Sequence, residues 1–421
     1  MSRVGMIVLG ASLMLLSTGC PPPEEMKPYT PPDLSKDYSR ALRPGEIALR
    51  KIPLEQYPDF RPGFYERAGL EVAIRHSLDY MRKPSSQNYY PYGTSREITH
   101  ARVVARLEAF LRVLNEAQSA AHLNEIIRRR FDVYESIGWD DQGTVLFTGY
   151  YTPIFDGRRQ RDAQFRYPLY GLPPDLVKDS EGRTLGRRNP SGGLDPRYPT
   201  RREIEQNRLL EGHEVAWVKD PFEAYIITVQ GSAKLRLADG SMFELGYAGN
   251  NGHEYTPIRD KLVEDGVMKP EQVSLQRMLA FFKQNPDKVY EYTWTNDRFV
   301  FFGERPGGPF GSLNTPVTPL RSIATDKSVF PRAALAFLQT TLPREYDGRV
   351  AQLPFGGFAL DQDTGGAIRA AGRCDVYMGV GNRAEALAGR TYSEGQLYYL
   401  FLREGLASGG PGEPAAAERR N

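Results

Sequence analysis

The chain has 421 residues, of which 40% are hydrophobic and 25% are charged. These values are typical of a globular protein of two or three domains and exclude a wholly disordered chain. Its 54 basic and 52 acidic residues give a formal net charge of +2. This balance offers no excess of positive charge for nucleic acid, so we predict no nucleic-acid partner.

The N-terminus has the pattern of an export signal that ends in a lipidation motif. An apolar run after Arg3 has signal-peptide length but is short for a membrane span. It leads into "STGC", and small residues before Cys20 resemble a bacterial lipobox, in which the cysteine is lipidated. We predict a lipoprotein signal peptide over 1–20, with lipidation at Cys20. The alternative is an ordinary secretory signal that is cut nearby.

Residues 21–45 are predicted to form a tether between this lipid anchor and the folded protein. They include "PPPEEMKPYTPPDLSKD", a proline-rich and charged segment of the extended kind. The chain has two cysteines. If Cys20 is lipidated, Cys374 is left alone and no intramolecular disulfide forms.

The predicted elements after the tether change from helical to β-rich. Residues 68–137 carry apolar side chains at helical spacing, among them Val103, Leu107, Phe110 and Phe131. Strand-like runs then follow in the order "GTVLFTGYYTPIFDG", "EAYIITVQGSAKLRL", "SMFELGY" and "RFVFF", with a hairpin turn at 238–241.

Two helices are predicted to interrupt these strands. One begins with the capping-box pair Thr200 and Glu203, and the other is the amphipathic segment "SLQRMLAFFKQN". Short strands and glycine-rich turns return over 303–405 and favour a β-barrel, while 406–421 has the composition of a disordered tail.

The sequence lacks the residues that most catalytic mechanisms need. The five histidines are scattered and show no metal-ligand spacing, so we predict no metal and no cofactor. Cys374 precedes Asp375, and an adjacent carboxylate opposes formation of a thiolate. The acids of "LDQDTGGAIRAAGRCDVYMG" remain as proton-transfer groups. Residue types alone leave open whether Asp363 and Asp375 are catalytic or ordinary turn residues.

The segments "DTGGAI", "CDVYMGVG" and "AEALAG" resemble the 3D region of the membrane-bound lytic murein transglycosylase A (MltA) family. Other segments are similar to landmarks of that family in the same order: "GYYTP", "YPLYGLPP", "TVQGSAKLRLADGS", "YAGNNGHEY" and "TPLRSIATDKSVFP". The resemblance covers roughly residues 140–395.

The resemblance implies a mainly β fold with an N-terminal helical region. A double-psi β-barrel catalytic domain would be formed by 46–147 together with 303–405, and 148–302 would be an inserted, barrel-like β-domain. A groove for glycan would lie between them. The implied partners are peptidoglycan glycan strands and, through the lipid anchor, the periplasmic face of the outer membrane. Contact with cell-wall synthesis or division complexes is left open.

The implied reaction is cleavage of the MurNAc-β-1,4-GlcNAc bond without water, which leaves a 1,6-anhydro-MurNAc end. Most glycosidases need two carboxylates. One aspartate can suffice here because the substrate supplies its own nucleophile, the C6 hydroxyl. By position in the family motif, Asp375 is the catalytic residue and Asp363 a supporting one. The chain has one more residue between them than the family pattern, and Asp361 is interpreted as a solvated turn residue.

The family motifs of the inserted domain also imply a set of sugar-binding residues. These are Tyr150, Tyr151, Thr152, Gln230, Gly231, Ser232, Asn251, Gly252 and His253. A function of another class stays open as the alternative, a non-catalytic peptidoglycan-binding lipoprotein, since double-psi barrels also occur in proteins that bind polysaccharides without cutting them.

Overall fold

The computed structural model describes residues 35–43, 46–93, 97–179, 182–269, 273, 275–346 and 349–403. The predicted signal peptide with Cys20, residues 21–34 of the predicted tether, and the predicted tail lie outside the described residues. Within those ranges, every helix is too short or too polar to traverse a lipid bilayer.

Strands are numbered here in chain order. They are β1 Leu49–Lys51, β2 Phe131–Ser136, β3 Val145–Thr152, β4 Ile154–Asp156, β5 Tyr167–Tyr170, β6 Leu176–Lys178, β7 Thr184–Arg188, β8 Leu194–Asp195, β9 Glu214–Val218, β10 Ser232–Arg236, β11 Met242–Asn250, β12 Val300–Glu304, β13 Ser322–Ala324, β14 Leu335–Tyr346, β15 Arg349–Asp363, β16 Arg373–Val380 and β17 Tyr392–Leu402.

Helices are numbered in the same way. They are α1 Pro62–Tyr65, α2 Leu70–Met81, α3 His100–Glu116, α4 Ala120–Arg130, α5 Arg201–Gln206, α6 Pro221–Gln230, α7 Ile258–Glu264, α8 Leu275–Gln284, α9 Val289–Thr293 and α10 Gly381–Ala388. Short 3₁₀ turns occupy Leu54–Gln56, Pro84–Tyr89 and Pro286–Lys288.

Six of the described strands close into a barrel. Around the barrel the order is β3, β17, β14, β15, β13 and β16, and the pairing of β16 with β3 completes the circle. The β16–β3 and β13–β15 pairs are parallel, whereas the other neighbours are antiparallel. β2 pairs with the C-terminal half of β17 and carries β1 on its far side.

Helices α2, α3 and α4 pack on the barrel through their apolar faces. Thr99 and Ser119 cap α3 and α4 with their side-chain oxygens. Val103, Leu107 and Phe110 are fully buried in the same core as the barrel strands. The helical stretch ends at Arg130 instead of reaching 137, because the alternating sequence that follows forms β2.

The chain between β3 and β12 forms smaller sheets and several helices. A four-stranded sheet has the order β12-β11-β10-β4, β5 pairs with β9, and β6, β7 and β8 form a third sheet. The predicted hairpin is present, since β10 and β11 pair antiparallel across the turn at 238–241. The capping box of α5 is also present, with Thr200 and Glu203 each bonding the other's backbone.

Helix α6 corrects the prediction of a strand over "EAYIITVQ". Asp220 caps this helix with its carboxylate and Pro221 occupies its first position. Its β-branched residues are buried on more than one side: Ile227 packs against the four-stranded sheet, whereas Ile226 packs among the neighbouring helices. A helix that is buried on nearly all sides has no amphipathic pattern. Its sequence then resembles the apolar run of a buried strand. Gly231 ends it with φ of 73°.

The described end of the predicted tether does not extend away from the protein. Tyr38 is 6% exposed, packs edge-on against Trp139, and donates a 2.7 Å hydrogen bond to Glu394 Oε1. Burial of an aromatic side chain stabilises the folded state. The proline-rich composition around Tyr38 gave no indication of this contact. Residues 36–43 are therefore packed on the barrel.

Candidate active site

A groove of about 590 Å³ is lined by residues of both the barrel and the chain between β3 and β12. Asp363 and Asp375 line it from the barrel strands, and Gln230, Tyr255 and Arg298 line it from the chain between β3 and β12. The groove therefore brings the two acidic residues of the sequence motif into one site with polar groups from the chain between β3 and β12.

Asp375 is held on β16 by two neighbours. Thr148 lies opposite it in the parallel pairing with β3, and the Thr148 hydroxyl donates a short hydrogen bond to Asp375 Oδ1. Arg373, two residues earlier on the same face of β16, has its Nη2 atom 3.6 Å from the same oxygen. Oδ2 makes no hydrogen bond to the described residues, and the side chain is 18% exposed.

Asp363 ends β15 and accepts three hydrogen bonds. The backbone N–H groups of Ser312 and Thr364 donate to Oδ1, each at 2.8 Å, and the Tyr150 hydroxyl donates to Oδ2 at 2.9 Å. Burial raises the pKa of Asp363, and these three donors oppose that shift. A carboxylate has about four acceptor positions, so Asp363 is largely committed to its protein partners.

Strand β13 lies between the two aspartates. Ala324 pairs with Asp375 on one side and with Asp363 on the other. Two strand spacings separate the backbones of the two aspartates by roughly 9.6 Å. The two carboxylates are held by separate sets of partners.

The loop between β15 and β16 approaches the opposite wall of the groove closely. A Cβ atom on Gly366 would lie 3.1 Å from Tyr255 Cβ and 3.2 Å from Arg298 Nε. A larger residue at this position would have to displace Tyr255 or Arg298 by a few tenths of an ångström, so glycine suits this close approach. Asp326 Oδ2 accepts a 2.8 Å hydrogen bond from the Ala370 N–H and fixes the other half of the loop.

Comparison with known proteins places these features in one family. Residues 146–303 match the MltA specific insert domain, and residues 321–401 match the 3D domain. Membrane-bound lytic murein transglycosylase A of Vibrio cholerae is 32% identical over 269 residues, which are 63% of this chain and 67% of that protein. The Escherichia coli protein of the same name is 30% identical over 280 residues, 66% of this chain and 71% of its own length.

A solved structure shows the same relationship in three dimensions. The membrane-bound lytic murein transglycosylase from Agrobacterium tumefaciens superimposes with a TM-score of 0.69 at 26% identity, over 85% of this chain and 98% of its own. The chain belongs to the MltA family. The resemblance seen in the sequence motifs is thereby confirmed.

Five of the binding residues that the MltA resemblance implied line the groove. They are Tyr150, Thr152, Gln230, Gly231 and Ser232. Thr152 and Ser232 lie 3.4 Å apart, hydroxyl to hydroxyl, and Thr152 also bonds the Tyr377 hydroxyl at 3.0 Å. Thr148, Tyr150 and Thr152 alternate along β3, so all three belong to one face of that strand.

The other four MltA-motif residues lie outside the described lining of the groove. Tyr151 is 2% exposed and donates to Glu385 at 3.1 Å. Asn251 donates to the carbonyls of Pro199 and Asp297, and the His253 carbonyl accepts from Arg298 Nη1 at 2.9 Å. Gly252 has φ of 84° in the turn between them. Asn251 and His253 thus hold the segment that presents Arg298 to the groove.

Asp361 is not the solvated turn residue that the sequence suggested. It is fully buried on β15 and forms an ion pair with Lys327, whose side chain is 5% exposed. Thr325 and Tyr399 each donate to its Oδ2 atom at 2.7 Å. Lys327 and Tyr399 lie 34 and 38 residues from Asp361 in the chain. The local sequence around Asp361 therefore gave no sign of these contacts.

Several polar residues of the groove were missed by motif reasoning. Arg373 and Thr148 contact Asp375, and Arg298, Arg332 and Tyr255 line the groove. A signal existed for two of them: Arg373 lies two residues before Asp375, and Thr148 two before Tyr150, which is the strand period. The arginines on loops had no such signal.

Two further observations concern the reactivity of Cys374 and the binding of metal ions. Cys374 is a buried free thiol, and burial together with the nearby aspartates raises its pKa well above the ordinary value. No group of three or more His, Cys, Asp and Glu is placed to hold a metal ion in the part of the chain that the structure describes. The absence of a cofactor stays a prediction.

Proposed function

We propose that this protein is a peptidoglycan lytic transglycosylase with Asp375 as its single catalytic acid and base. The reaction would cleave the MurNAc-β-1,4-GlcNAc bond without water and leave a 1,6-anhydro-MurNAc end. One observation carries the proposal: Asp375 faces a groove of glycan size with Oδ1 fixed by Thr148 and Oδ2 unbonded.

Oδ2 of Asp375 is the atom that would transfer the proton. In the first step it gives a proton to the glycosidic oxygen, and the bond from that oxygen to C1 breaks. In the second, the C6 hydroxyl attacks C1 and returns its proton to Oδ2. The atoms balance without water or a second carboxylate, and the intramolecular attack gains from pre-orientation.

Asp363 would act as a positioning residue. Three of its acceptor positions are occupied by Ser312, Thr364 and Tyr150, which leaves little capacity to activate a water molecule. Its bond to Tyr150 orients a hydroxyl and a ring on the groove wall. This arrangement favours one working acid over the two-carboxylate scheme of hydrolases.

The opposite wall would bind the sugar chain. Gln230, Gly231 and Ser232 come from the end of α6 and the start of β10 and line the groove. Side-chain amides, hydroxyls and backbone groups of this kind suit the hydroxyl and N-acetyl groups of sugars. Asn251, Gly252 and His253 would contribute indirectly, through the packing of this wall, whereas the Tyr151 hydroxyl donates to Glu385 outside the groove lining.

The finer organisation of the protein is also part of the proposal. The barrel would have double-psi topology, with 46–147 and 303–405 as the catalytic domain and 148–302 as the insert. Cys20 would carry the lipid that anchors the protein to the periplasmic face of the outer membrane. The names of the relatives, which call them membrane-bound, support an anchor.

Digestion of purified murein sacculi tests the reaction. We expect soluble fragments that end in 1,6-anhydro-MurNAc, each lighter by one water than the corresponding reducing-end fragment that a hydrolase releases. Fragments that carry the added water would contradict the transglycosylase chemistry. Binding to sacculi with no release of fragments would favour the alternative of a non-catalytic peptidoglycan-binding lipoprotein.

Substitution of the acid tests the site. Asp375→Asn keeps the shape and the Thr148 contact but removes the transferable proton. We expect turnover to fall by at least about 100-fold while sacculus binding is retained. Turnover near that of the wild type would refute the role of Asp375.

A further inference from the structure

Positive charge along the groove is only partly matched by protein carboxylates. Among the described residues, five arginines line it. Arg201 pairs with Glu205, Arg369 with Glu254 and Arg373 with Asp375. Arg298 and Arg332 have no carboxylate within 4.0 Å in the described ranges.

Of these two arginines, Arg332 has fewer hydrogen-bond partners for its guanidinium group. Arg298 donates through Nη1 to the His253 carbonyl. Arg332 has no side-chain hydrogen bond to a described residue, and its Nε atom is buried without any partner. A buried donor that lacks an acceptor costs free energy. The Nε atoms of Arg201 and Arg373 in the same groove are also without a partner, but these two arginines pair with carboxylates and Arg332 does not.

Arg332 is also held in a fixed position. Its guanidinium carbon lies 3.8 Å from the centroid of the Tyr89 ring, and the Tyr90 hydroxyl donates to its backbone carbonyl. Stacking on an aromatic face leaves the edge of the guanidinium, where its N–H groups point, open to a planar acceptor. Because Nε is buried, the two Nη groups are the fork that a carboxylate in the groove would meet.

We propose that Arg332, stacked on Tyr89, binds a carboxylate of the glycan strand. The inference rests on the proposed function and specifies which chemical form of the substrate the groove accepts. Muramic acid carries a lactyl carboxylate when it is free of peptide, and a peptide-bearing strand carries carboxylates on the peptide instead. A chitin oligosaccharide has the same β-1,4 linkage and N-acetyl groups but no carboxylate, and so it lacks the group that Arg332 would bind.

Binding measurements separate this role from catalysis. The Asp375→Asn protein, which would not consume its ligand, is titrated with peptide-bearing glycan, with peptide-free glycan prepared by an amidase, and with chitohexaose. Adding Arg332→Gln is expected to weaken binding of at least one carboxylate-bearing glycan by about tenfold. Affinity for chitohexaose is expected to stay within about twofold. Loss confined to the peptide-bearing glycan identifies a peptide carboxylate, and loss confined to the peptide-free glycan identifies the lactyl group.

Two further variants control for charge and folding. Arg75→Gln removes the same charge from an exposed residue of α2 that pairs with Glu71 outside the groove, and it should not alter binding. Arg332→Lys keeps the charge but not the planar fork, so we expect a partial loss of binding. If Arg332→Gln disrupts folding, Arg332→Lys serves as the variant that preserves the folded state.

Three outcomes would overturn the proposal. They are unchanged affinity for all three ligands, an equal loss that includes chitohexaose, and the same loss in Arg75→Gln. Failure of the proposed function has a different signature. Wild-type protein would then bind these glycans with Arg332-dependent selectivity and yet release no fragments from sacculi.

Discussion

Thr148 and Asp375 lie opposite each other in the parallel pairing of β3 and β16, and the threonine hydroxyl donates to one carboxylate oxygen only. The pairing register therefore decides which oxygen of the acid remains available. Strand register is a rigid feature of a closed barrel. In the proposed reaction, the register of β3 and β16 would therefore set which atom transfers the proton.

Replacement of Thr148 tests this relationship. Thr148→Val keeps the β-branched shape but removes the donor to Oδ1, so the carboxylate is free to rotate. We expect kcat for release of muropeptides to fall roughly tenfold with KM little changed. Thr148→Ser retains a hydroxyl and should restore most of the rate. If valine and serine variants were equally active, the hydrogen bond would have no part in turnover.

Tyr150 provides a second test on the same strand. Tyr150→Phe removes the 2.9 Å bond to Asp363 Oδ2. That bond lowers the pKa of Asp363 against the larger effect of burial, so its loss raises the pKa further. We expect kcat/KM to fall by about three- to tenfold. The matched control is Tyr151→Phe, whose lost partner is Glu385 outside the groove lining, and which should stay active. Equal losses in both variants would contradict the assignment.

The two tyrosines illustrate what the sequence could predict. The resemblance to the MltA motifs singled out Asp363 and Asp375, and alternation along β3 separates Tyr150 from Tyr151 once the strand is recognised. The motif could not separate the tyrosines, because it marks a segment and not the face of a strand. Knowledge of the strand period would have moved Tyr151 out of the binding set.

Tertiary packing accounts for the predictions that were wrong. Residues of α6 were predicted as a strand because Ile226, Ile227, Thr228 and Val229 are β-branched. The cap at Asp220 and burial on several sides outweighed that propensity. Asp361 was misread for a related reason: its local sequence is typical of a turn, but its partners are far away in the chain.

Asp361 and Lys327 allow a test of stability. Asp361→Asn leaves the buried ammonium group of Lys327 without a counter-charge, and burial already lowers the pKa of that lysine. We expect the free energy of unfolding to drop by about 3 kcal/mol, as measured by urea denaturation. Combining Asp361→Asn with Lys327→Met should recover part of this loss, because the unpaired charge is then absent. A double variant that loses as much as the sum of the two single variants would show that the residues act independently.

Glu223, near the start of α6, makes stability depend on pH. Burial raises its pKa from 4.5 to about 7, with a further contribution from Asp220 that Lys219 partly offsets. The folded state then binds the proton more tightly than the unfolded state does. Its contribution is complete below about pH 4.5 and is lost as the pH rises through 7.

Glu223→Gln should remove this dependence. Since the carboxyl group is only partly buried, we expect the variant to gain on the order of 1 kcal/mol relative to wild type between pH 5 and pH 8. Thermal unfolding across that range measures it, with Tm of the two proteins converging at the acidic end. Parallel Tm curves for wild type and variant would mean that Glu223 titrates at its ordinary pKa. Activity at constant temperature should not follow the same profile, because Glu223 is not part of the groove lining that the structure describes.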